Sequence, residues 1–482
     1  MFNRRDFLHA AALSAAALSI PDSSRAAAAA QARPAPTGAP KPNIIFILAD
    51  DLGIGDLGCY GQKKIRTPNV DRLAAEGIRY TQGYCGTSVC APCRCSLMTG
   101  LHMGHSPIRA NREIQPEGQM PLPAGSFTVA ALLKDAGYAT ACIGKWGLGM
   151  FDTPGSPLKN GFDHFFGYNC QRHAHSYFPP YLYRDAERFD LDGKTYAQNL
   201  IAADALDWVK RNRERPFFLY YALTLPHGKY EIDDVGDYAK EDWPDVERTY
   251  AAMVTRMDRD IGRLMDLLKE LNLDDKTLVF FASDNGAAEG STGHTTEFFD
   301  SNGPYRSTKR SMYEGGLRVP LIARWPGHVP TGKTSDQPWA FWDFLPTCAD
   351  LVGAKLPADA KTDGLSVVSA LTGGAAPKRD YFYWELHEGG RSQQAVRFGD
   401  WKALKTAPSQ PVELYDLKSD PVEENNVAAQ HPDLVEKAVA FMKSAHTDSP
   451  DWPMKDPPPK KAQAKGKKEK AAGKTNKKAK TD

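Results

Sequence analysis

NIIFILADD, residues 43–51, decides the fold, because a run of aliphatic and aromatic side chains ends there in two aspartates. A continuous apolar run of this length is typical of a strand that is buried on both faces of a sheet. Similar runs follow at 138–144 and 216–223, and helical patterns lie between the first two runs, at 67–77 and 127–134. Strands that alternate with helices predict a largely parallel sheet with helices on both faces.

The second half of the chain continues this pattern and then changes. The clearest helix is 247–271, where apolar residues recur at helical spacing with charges between them, and it leads into a buried strand at 277–282. Nearer the C-terminus, alternating strands joined by turns predict a small antiparallel sheet, followed by an amphipathic helix at 432–442. The predicted fold class is α/β: a large mixed, mostly parallel sheet sandwiched by helices over 42–365, and a smaller C-terminal antiparallel sheet plus helix over 366–455.

The N-terminal segment is predicted to be a targeting signal. Residues 1–32 are expected to form a twin-arginine signal peptide, because Arg4-Arg5 precedes a short Ala/Leu run. That run is too short and too weakly hydrophobic to span a bilayer permanently, so we expect no transmembrane span in the mature form. We therefore expect export by the twin-arginine machinery to the periplasm or the extracellular space, with 33–41 as a linker.

The C-terminal segment carries an unusual charge. From Lys460 onward ten lysines face only Glu469 and Asp482, although the whole chain has a formal net charge of +1. A lysine run without large apolar residues cannot form a core, so 456–482 is predicted to be a disordered tail. It either keeps the protein soluble or tethers it to an anionic polymer or cell surface. We expect no nucleic-acid partner.

Polar residues follow the predicted strands at the points where the strands end. The carboxyl ends of parallel strands meet at one edge of an open sheet, which is where such folds bind ligands. Three carboxylates and an amide gathered there repel one another unless a cation neutralises them, and oxygen ligands favour calcium, or magnesium, over zinc. The residues expected at this edge are Asp50, Asp51, Lys145, His227, Asp284 and Asn285.

The stretch YCGTSVCAPCRCSLMTG, residues 84–100, holds four of the eight cysteines. The C-x4-C-x2-C spacing that starts at Cys85 is also how a plant-type iron–sulfur loop begins. Pro92 instead places Cys90 at a helix N-terminus, where the helix dipole and Arg94 favour a bound anion. An anionic substrate accounts for Arg94, a lysine and a metal together, whereas an iron–sulfur cluster, itself anionic, accounts for none of them. Disulfide pairing among the cysteines cannot be derived from their spacing.

Several motifs in a fixed order resemble the type I sulfatases of the alkaline phosphatase superfamily. The resemblance covers the chain from about Pro42 to Pro326 and continues more loosely to Trp452. It implies an alkaline phosphatase-like fold and the oxidation of Cys90 to formylglycine by a maturation enzyme. One hydroxyl of the hydrated aldehyde then attacks sulfur, and the other loses its proton to expel sulfate. The motifs are PNIIFILADDLGIGDLGCYG, CAPCRCSLMTG, GKWGLG, SDNG and KRSMYEGGLRVP.

The same resemblance implies roles for individual residues. Arg94 matches the residue that steadies the formylglycine hydroxyl, and Lys145 and Lys309 match the sulfate-binding lysines. His227 matches the histidine near the leaving oxygen, where it would act as general acid. The positions that match the calcium ligands are Asp50, Asp51, Cys90, Asp284 and Asn285.

One position departs from the family pattern. The family commonly reads G-K-W-H-L-G, but residue 147 is Gly in this chain. That histidine helps to deprotonate the diol in the family, so our hypothesis is that His173 or His175 supplies the ring from a neighbouring segment. The alternative is that these two histidines bind sugar or pack on the surface.

The substrate is expected to be a sulfated carbohydrate. The loop 164–183 and the segment 384–390 combine aromatic and charged residues, as sugar-binding walls do, and His387 is expected to contact the sugar. The pattern looks most like sulfatases that act on galactose or N-acetylgalactosamine units, and arylsulfatase activity is expected as well. The alternatives are a phosphonate or phosphate monoester hydrolase of the same superfamily, or, if Cys90 is unmodified, a non-catalytic protein that binds sulfated glycans.

Overall fold

The computed structural model describes residues 41–115, 118–289 and 293–458. The predicted signal peptide, the linker up to residue 40 and the lysine-rich tail from residue 459 lie outside the described residues. Among the described residues, no helix combines the length and the apolar character needed to cross a membrane. The thiols of Cys59, Cys85, Cys90, Cys93, Cys95, Cys142 and Cys348 are free.

The described residues form sixteen strands and ten α-helices. The strands are β1 Asn43–Ala49, β2 Ile78–Tyr80, β3 Gly83–Tyr84, β4 Ala139–Lys145, β5 His164–Tyr168, β6 Tyr181–Arg184, β7 Glu187–Asp190, β8 Phe217–Ala222, β9 Thr277–Ser283, β10 Leu321–Arg324, β11 Lys333–Ser335, β12 Trp339–Ala340, β13 Phe382–Glu388, β14 Arg391–Phe398, β15 Trp401–Lys405 and β16 Glu413–Asp416. The helices are α1 Pro68–Ala75, α2 Cys90–Thr99, α3 Val129–Asp135, α4 Ala197–Asn212, α5 Asp245–Glu270, α6 Thr296–Phe299, α7 Glu314–Leu317, α8 Phe344–Val352, α9 Val368–Leu371 and α10 Pro432–Ala445.

Ten of the strands form one mixed sheet, in the order β11-β2-β10-β9-β1-β8-β4-β5-β6-β7. Its five central strands, from β9 to β5, run parallel to one another. The antiparallel pairings are at the two sides, where β10 joins β9 and β6 joins β5. The predicted mixed, mostly parallel sheet is therefore confirmed. The side strands were not predicted, because most have only three or four residues and carry too little pattern.

Helices cover both faces of this sheet because β1 is apolar on both sides. Ile45 and Ile47 pack in a core with α1, α4 and α5, whereas Phe46 and Leu48 pack in a second core with α2, α3 and α8. The long helix α5 begins two residues earlier and ends one residue earlier than the pattern predicted. Each face of the central sheet is thus closed to water, which leaves its edges for ligands.

The C-terminal antiparallel sheet is also confirmed. Strands β13, β14, β15 and β16 pair in that order, and α10 packs on one of their faces. The other face of this sheet joins the large core through side chains such as Trp384 and Leu404. The small sheet is therefore packed directly against the main one, and β13 runs beside the segment that precedes Cys90: Trp384 Nε1 donates to the Cys85 carbonyl at 3.0 Å.

Candidate active site

The acidic residues meet because β1 and β9 are neighbours in register. Ala49 lies opposite Ser283, so Asp50 and Asp284 leave adjacent strands at the same level. The Asp51 amide donates to Asp284 Oδ1 at 3.2 Å, and Asn285 Nδ2 donates to Asp51 Oδ1 at 2.8 Å. Asp51 has a φ of 64°, which turns its carboxylate back toward the other acids at a cost that only a fixed surrounding structure sustains.

Cys90 lies at the mouth of this acidic cluster. It is the first residue of α2 and is 2% exposed, with its Sγ 3.5 Å from Asp50 Oδ1 and 3.3 Å from Lys309 Nζ. Burial, followed by the charge of Asp50, raises the pKa of its thiol. An unmodified Cys90 is therefore a protonated thiol and a poor nucleophile.

Arg94 and the two lysines bind directly to the acids. The Arg94 guanidinium donates to Asp284 Oδ2 at 2.9 and 3.2 Å and to the Lys145 carbonyl at 2.9 Å. Lys145 Nζ lies 2.5 Å from Asp50 Oδ2, and Lys309 Nζ lies 2.5 Å from Asp51 Oδ1. These three cations balance three carboxylates within a buried site.

The carboxyl groups of the cluster differ in their pKa. Burial opposes the ionisation of Asp50, but Lys145, His227 and Arg94 outweigh it and hold its pKa well below the ordinary value. Burial and the charge of Asp50 instead raise the pKa of Asp284 to about 6. Asp284 is thus more easily protonated than Asp50, as expected where like charges share a site.

The donor set fits a hard divalent cation. Ligand atoms of Asp50, Asp51, Cys90 and His227 lie within 4.8 Å of one another. Asn285 Oδ1 is buried without a hydrogen-bond partner, on the residue whose Nδ2 already binds Asp51. A buried carbonyl oxygen without a partner is costly unless something binds it. Together these oxygens are suited to calcium or magnesium.

His227 and His175 form a stacked pair beside the acids. His227 Nε2 lies 3.3 Å from Asp51 Oδ2, and its ring stacks on that of His175 with centroids 4.6 Å apart at 16°. Burial is the main reason that the pKa of His227 falls to about 4 and that of His175 to about 3, despite the nearby aspartates. Of the two histidines predicted from the departure at residue 147, His175 is the one that the fold brings to this site.

A side chain at residue 147 would be strained and would have to displace Gln171. The φ of Gly147 is 80°, and a Cβ built on it would lie 2.1 Å from Gln171 Nε2. Gln171 therefore fills the space above Gly147, and the same segment contains the His173–His175 turn, which starts two residues later. The 171–175 segment thus occupies the space that a histidine at residue 147 would need.

His173 and His387 lie elsewhere than His175. The His173 ring packs on Tyr181 with centroids 4.3 Å apart, and its Nε2 is 2.9 Å from the Tyr181 carbonyl oxygen. His387 Nε2 lies 3.0 Å from Glu385 Oε1, and its Nδ1 lies 2.9 Å from Ser392 Oγ, so both of its ring nitrogens have partners in the small sheet. The structure does not bring these two residues to the cluster around Cys90.

Asn111 was missed from the sequence. The α2 helix has no side-chain cap from its own N-terminal residue, and Asn111 Oδ1 instead accepts from the Ala91 amide at 3.0 Å. The Asn111 amide in turn donates to Glu388 Oε1 at 2.9 Å. No local signal marks a cap that comes from twenty residues away. Gln171 was missed as well, because nothing in the sequence around residue 147 says which distant side chain occupies the space above the glycine.

Comparisons with known proteins agree with this geometry. The family model described as Sulfatase matches residues 42–354, and the model described as N-sulphoglucosamine sulphohydrolase, C-terminal, matches residues 305–445. The N-acetylgalactosamine-6-sulfatase of Canis lupus familiaris is 36% identical over 397 residues, covering 76% of this chain and 72% of that protein. The steryl-sulfatase of Mus musculus is 33% identical, covering 78% and 73%.

A solved structure shares the whole architecture. The crystal structure of Ps i-CgsB in complex with k-i-k-neocarrahexaose superposes with a TM-score of 0.77 at 31% identity, covering 86% of this chain and 95% of that one. Fold, acidic cluster and helix-borne cysteine together define a hydrolase of the alkaline phosphatase superfamily. Within that class the chain belongs to the type I sulfatase family, and it is a sulfuric ester hydrolase, as the resemblance in its motifs predicted.

Proposed function

We propose that this sulfatase hydrolyses sulfate esters of carbohydrates, using a formylglycine made from Cys90 and a calcium ion bound by the acidic cluster. The observation that carries the proposal is the position of Cys90 at a helix N-terminus, 3.3 Å from Lys309 Nζ and 3.5 Å from Asp50 Oδ1. A nucleophile placed at the positive end of a helix dipole, beside a cation-binding cluster and a lysine, suits attack on an anionic sulfuryl group.

The ion would be held by Asp50, Asp51, Asp284 and Asn285, with residue 90 completing the set. When bound, it supplies charge that stabilises the sulfuryl oxygens in the transition state. The chain itself supplies the matching cations, since Lys145 reaches Asp50 and Lys309 reaches Asp51, each at 2.5 Å. Once an ion occupies the acids, the two ammonium groups become available to bind sulfate oxygens.

The chemistry of residue 90 requires more than a thiol. The raised pKa of Cys90 keeps sulfur protonated, so the unmodified residue is unsuited to attack. The hydrated aldehyde of formylglycine would supply one hydroxyl that attacks sulfur and displaces the sugar alcohol, and a second hydroxyl whose deprotonation would expel sulfate and regenerate the aldehyde. Arg94 holds this end of α2 in place by its paired bonds to Asp284, so the residue that replaces the thiol keeps its direction.

Proton transfer is assigned to the histidine pair. His227 lies against Asp51, and its pKa of about 4 makes it neutral in the free protein at pH 7. To protonate the leaving oxygen it must gain a proton as the anionic ester enters, and a nearby negative charge favours this gain. His175, stacked on it, is proposed to take the role that the family gives to the histidine absent at 147.

A carbohydrate is favoured over a steroid as the substrate. The N-acetylgalactosamine-6-sulfatases and the carbohydrate complex among the relatives support a sugar, and galactose or N-acetylgalactosamine units are the proposed class. The segment 171–188 supports it as well, because it contains Tyr181 and Tyr183 together with Arg184 and Arg188. We also propose that the protein is exported through the twin-arginine pathway to the periplasm or the extracellular space, where polysaccharides are found.

The test combines mass spectrometry with kinetics on the full chain produced with a formylglycine-generating enzyme. We expect the peptide that contains residue 90 to have the mass of the aldehyde, and the protein to hydrolyse aryl sulfate and galactose or N-acetylgalactosamine sulfates. Cys90→Ala is expected to abolish both activities. A thiol mass with sulfate-glycan binding but no turnover would indicate a binding protein, and faster hydrolysis of aryl phosphate than of aryl sulfate would indicate the phosphate or phosphonate reaction instead.

A further inference from the structure

Arg310 lies beside the active site but outside its charge balance. The residue before it, Lys309, reaches Cys90 Sγ at 3.3 Å, whereas the Arg310 side chain points outward and is 61% exposed. The three buried carboxylates are already matched by Arg94, Lys145 and Lys309. Arg310 is therefore an exposed positive charge beside the site that is not needed to balance the three buried carboxylates.

The backbone of Arg310 is held in an unfavourable conformation. Its φ is 71°, in the left-handed region that non-glycine residues rarely adopt. Hydrogen bonds fix it from both sides: its amide donates to the Ser88 carbonyl at 2.9 Å, and its carbonyl accepts from Gln393 Nε2 at 3.1 Å. A strained residue that is held so firmly next to a nucleophile points to a function for its side chain.

The guanidinium has a partner only at long range. Among the described residues its contact is with Glu388, whose Oε2 lies 3.9 Å from the Arg310 Nε, beyond hydrogen-bond distance. The other carboxylate oxygen of Glu388 accepts from the Asn111 amide, and Asn111 caps Ala91, the residue after Cys90. Arg310 and Glu388 are thus linked to the backbone on the two sides of residue 90, Arg310 through Ser88 and Glu388 through Asn111 and Ala91, so both side chains lie close to the nucleophile.

We infer that Arg310 forms an anion-binding subsite for a second negative group of the substrate, a sulfate ester or a carboxylate on the sugar next to the scissile sulfate. A guanidinium binds such planar or tetrahedral oxyanions through two parallel hydrogen bonds, which an exposed and otherwise unsaturated arginine can offer. This inference rests on the proposed function and adds a preference for polyanionic glycans over singly charged ones.

The experiment compares Arg310→Gln with the wild-type enzyme on four substrates. They are an aryl sulfate, a disaccharide with one sulfate and a neutral neighbour, the same disaccharide with a sulfated neighbour, and one with a uronate neighbour. We expect kcat/KM on one or both polyanionic substrates to fall about 10- to 100-fold, through KM, and to change less than about twofold on the other two. The anion that Arg310 binds is identified by whether kcat/KM falls on the disaccharide with the sulfated neighbour, on the one with the uronate neighbour, or on both.

Two further variants separate binding from folding. Arg310→Gly accepts a positive φ without strain, so it should fold at least as well as wild type and lose the same selectivity. Arg213→Gln, at the end of α4 on the opposite edge of the sheet, removes the same charge and should keep the full selectivity for polyanionic substrates. High salt should reduce the wild-type preference, because an exposed contact is screened.

Equal losses on all four substrates, or no loss on any, would overturn the inference, since Arg310 would then act on the scissile sulfate or not at all. Calorimetric binding of the disulfated disaccharide in a Cys90→Ala background tests the subsite without turnover. If wild type hydrolysed none of the substrates, the proposed function would fail, yet unchanged or weakened binding on adding Arg310→Gln would still decide the role of Arg310.

Discussion

At the scale of single residues, function is concentrated in side chains whose burial conflicts with their charge. Asp50, Arg94 and Lys145 are fully buried, and both cations lie against the Asp50 carboxylate. Removing one member therefore leaves its partners as unpaired buried charges. Buried charges of this kind lower the stability of the fold, and we attribute their presence to the ligands that they bind.

The stacked histidines give a prediction that separates two neighbours in sequence. His175→Ala is expected to lower kcat about 10- to 100-fold, because its ring covers His227 and is proposed to serve in proton transfer. His173→Ala removes a ring that packs on Tyr181, so its kcat should stay within about threefold of wild type. Steady-state kinetics on one sugar sulfate decide between them, and full activity in both variants would refute the assignment.

Asp56 provides a pH-dependent contribution to stability. Burial raises its pKa from 3.8 to about 7, although Tyr250 and the Gly53 amide donate to it at 2.6 and 2.8 Å. Because the folded pKa is the higher one, its contribution is complete below pH 3.8 and is lost as pH rises to about 7.

Asp56→Asn keeps an acceptor for both donors but cannot ionise. Between pH 5 and pH 7 the free energy of unfolding of wild type should therefore fall relative to that of the variant by about 2 kcal/mol. Urea unfolding at several pH values measures this difference. A difference that is constant with pH would mean that Asp56 is ionised or neutral throughout the range.

At the scale of elements, the small sheet supports the catalytic segment. Lys402 of β15 is fully buried and lies 2.8 Å from Glu314 of α7 and 2.9 Å from Glu423. Charge pairs in such a position hold α7, and the 305–317 segment that contains Lys309, against the C-terminal sheet. The predicted boundary at 365 therefore separates two sequence patterns that share one packed core.

Lys402→Met tests this connection. Its loss leaves Glu314 and Glu423 as neighbouring buried carboxylates, with an expected cost of about 3–5 kcal/mol in the free energy of unfolding. Lys405→Met on the same strand, where the side chain is only half-buried, should cost less than about 1 kcal/mol. The double variant Lys402→Met/Glu423→Gln should recover part of the loss, and no recovery would place the cost in packing rather than in charge.

At the scale of the whole molecule, the site joins strands that are more than 200 residues apart in the chain. Asp51 and Asp284 are 233 positions apart, yet the amide of one donates to the other. An ion bound by residues from both β1 and β9 is bound only by the folded chain, so it should stabilise the entire protein.

Removal of divalent cations should therefore lower both activity and Tm. Chelation is expected to lower Tm by about 5 °C and to abolish turnover, with recovery on adding calcium and less recovery with magnesium. Differential scanning calorimetry and aryl sulfate hydrolysis measure the two effects. In Asp51→Asn the difference between chelated and calcium-saturated protein should shrink, and an unchanged difference would locate the ion elsewhere.

The mostly parallel sheet, the acids at its edge and the position of Cys90 at a helix start could all be predicted from the amino-acid sequence. Each of these follows from local patterns, apolar runs that end in polar residues and a proline in a first turn, which do not depend on distant parts of the chain. Only the tertiary structure decided that His175 and not His173 reaches His227, that Gln171 fills the space over Gly147, and that Asn111 caps α2. Those contacts join segments that are distant in sequence, and packing selects among side chains whose local patterns are equivalent.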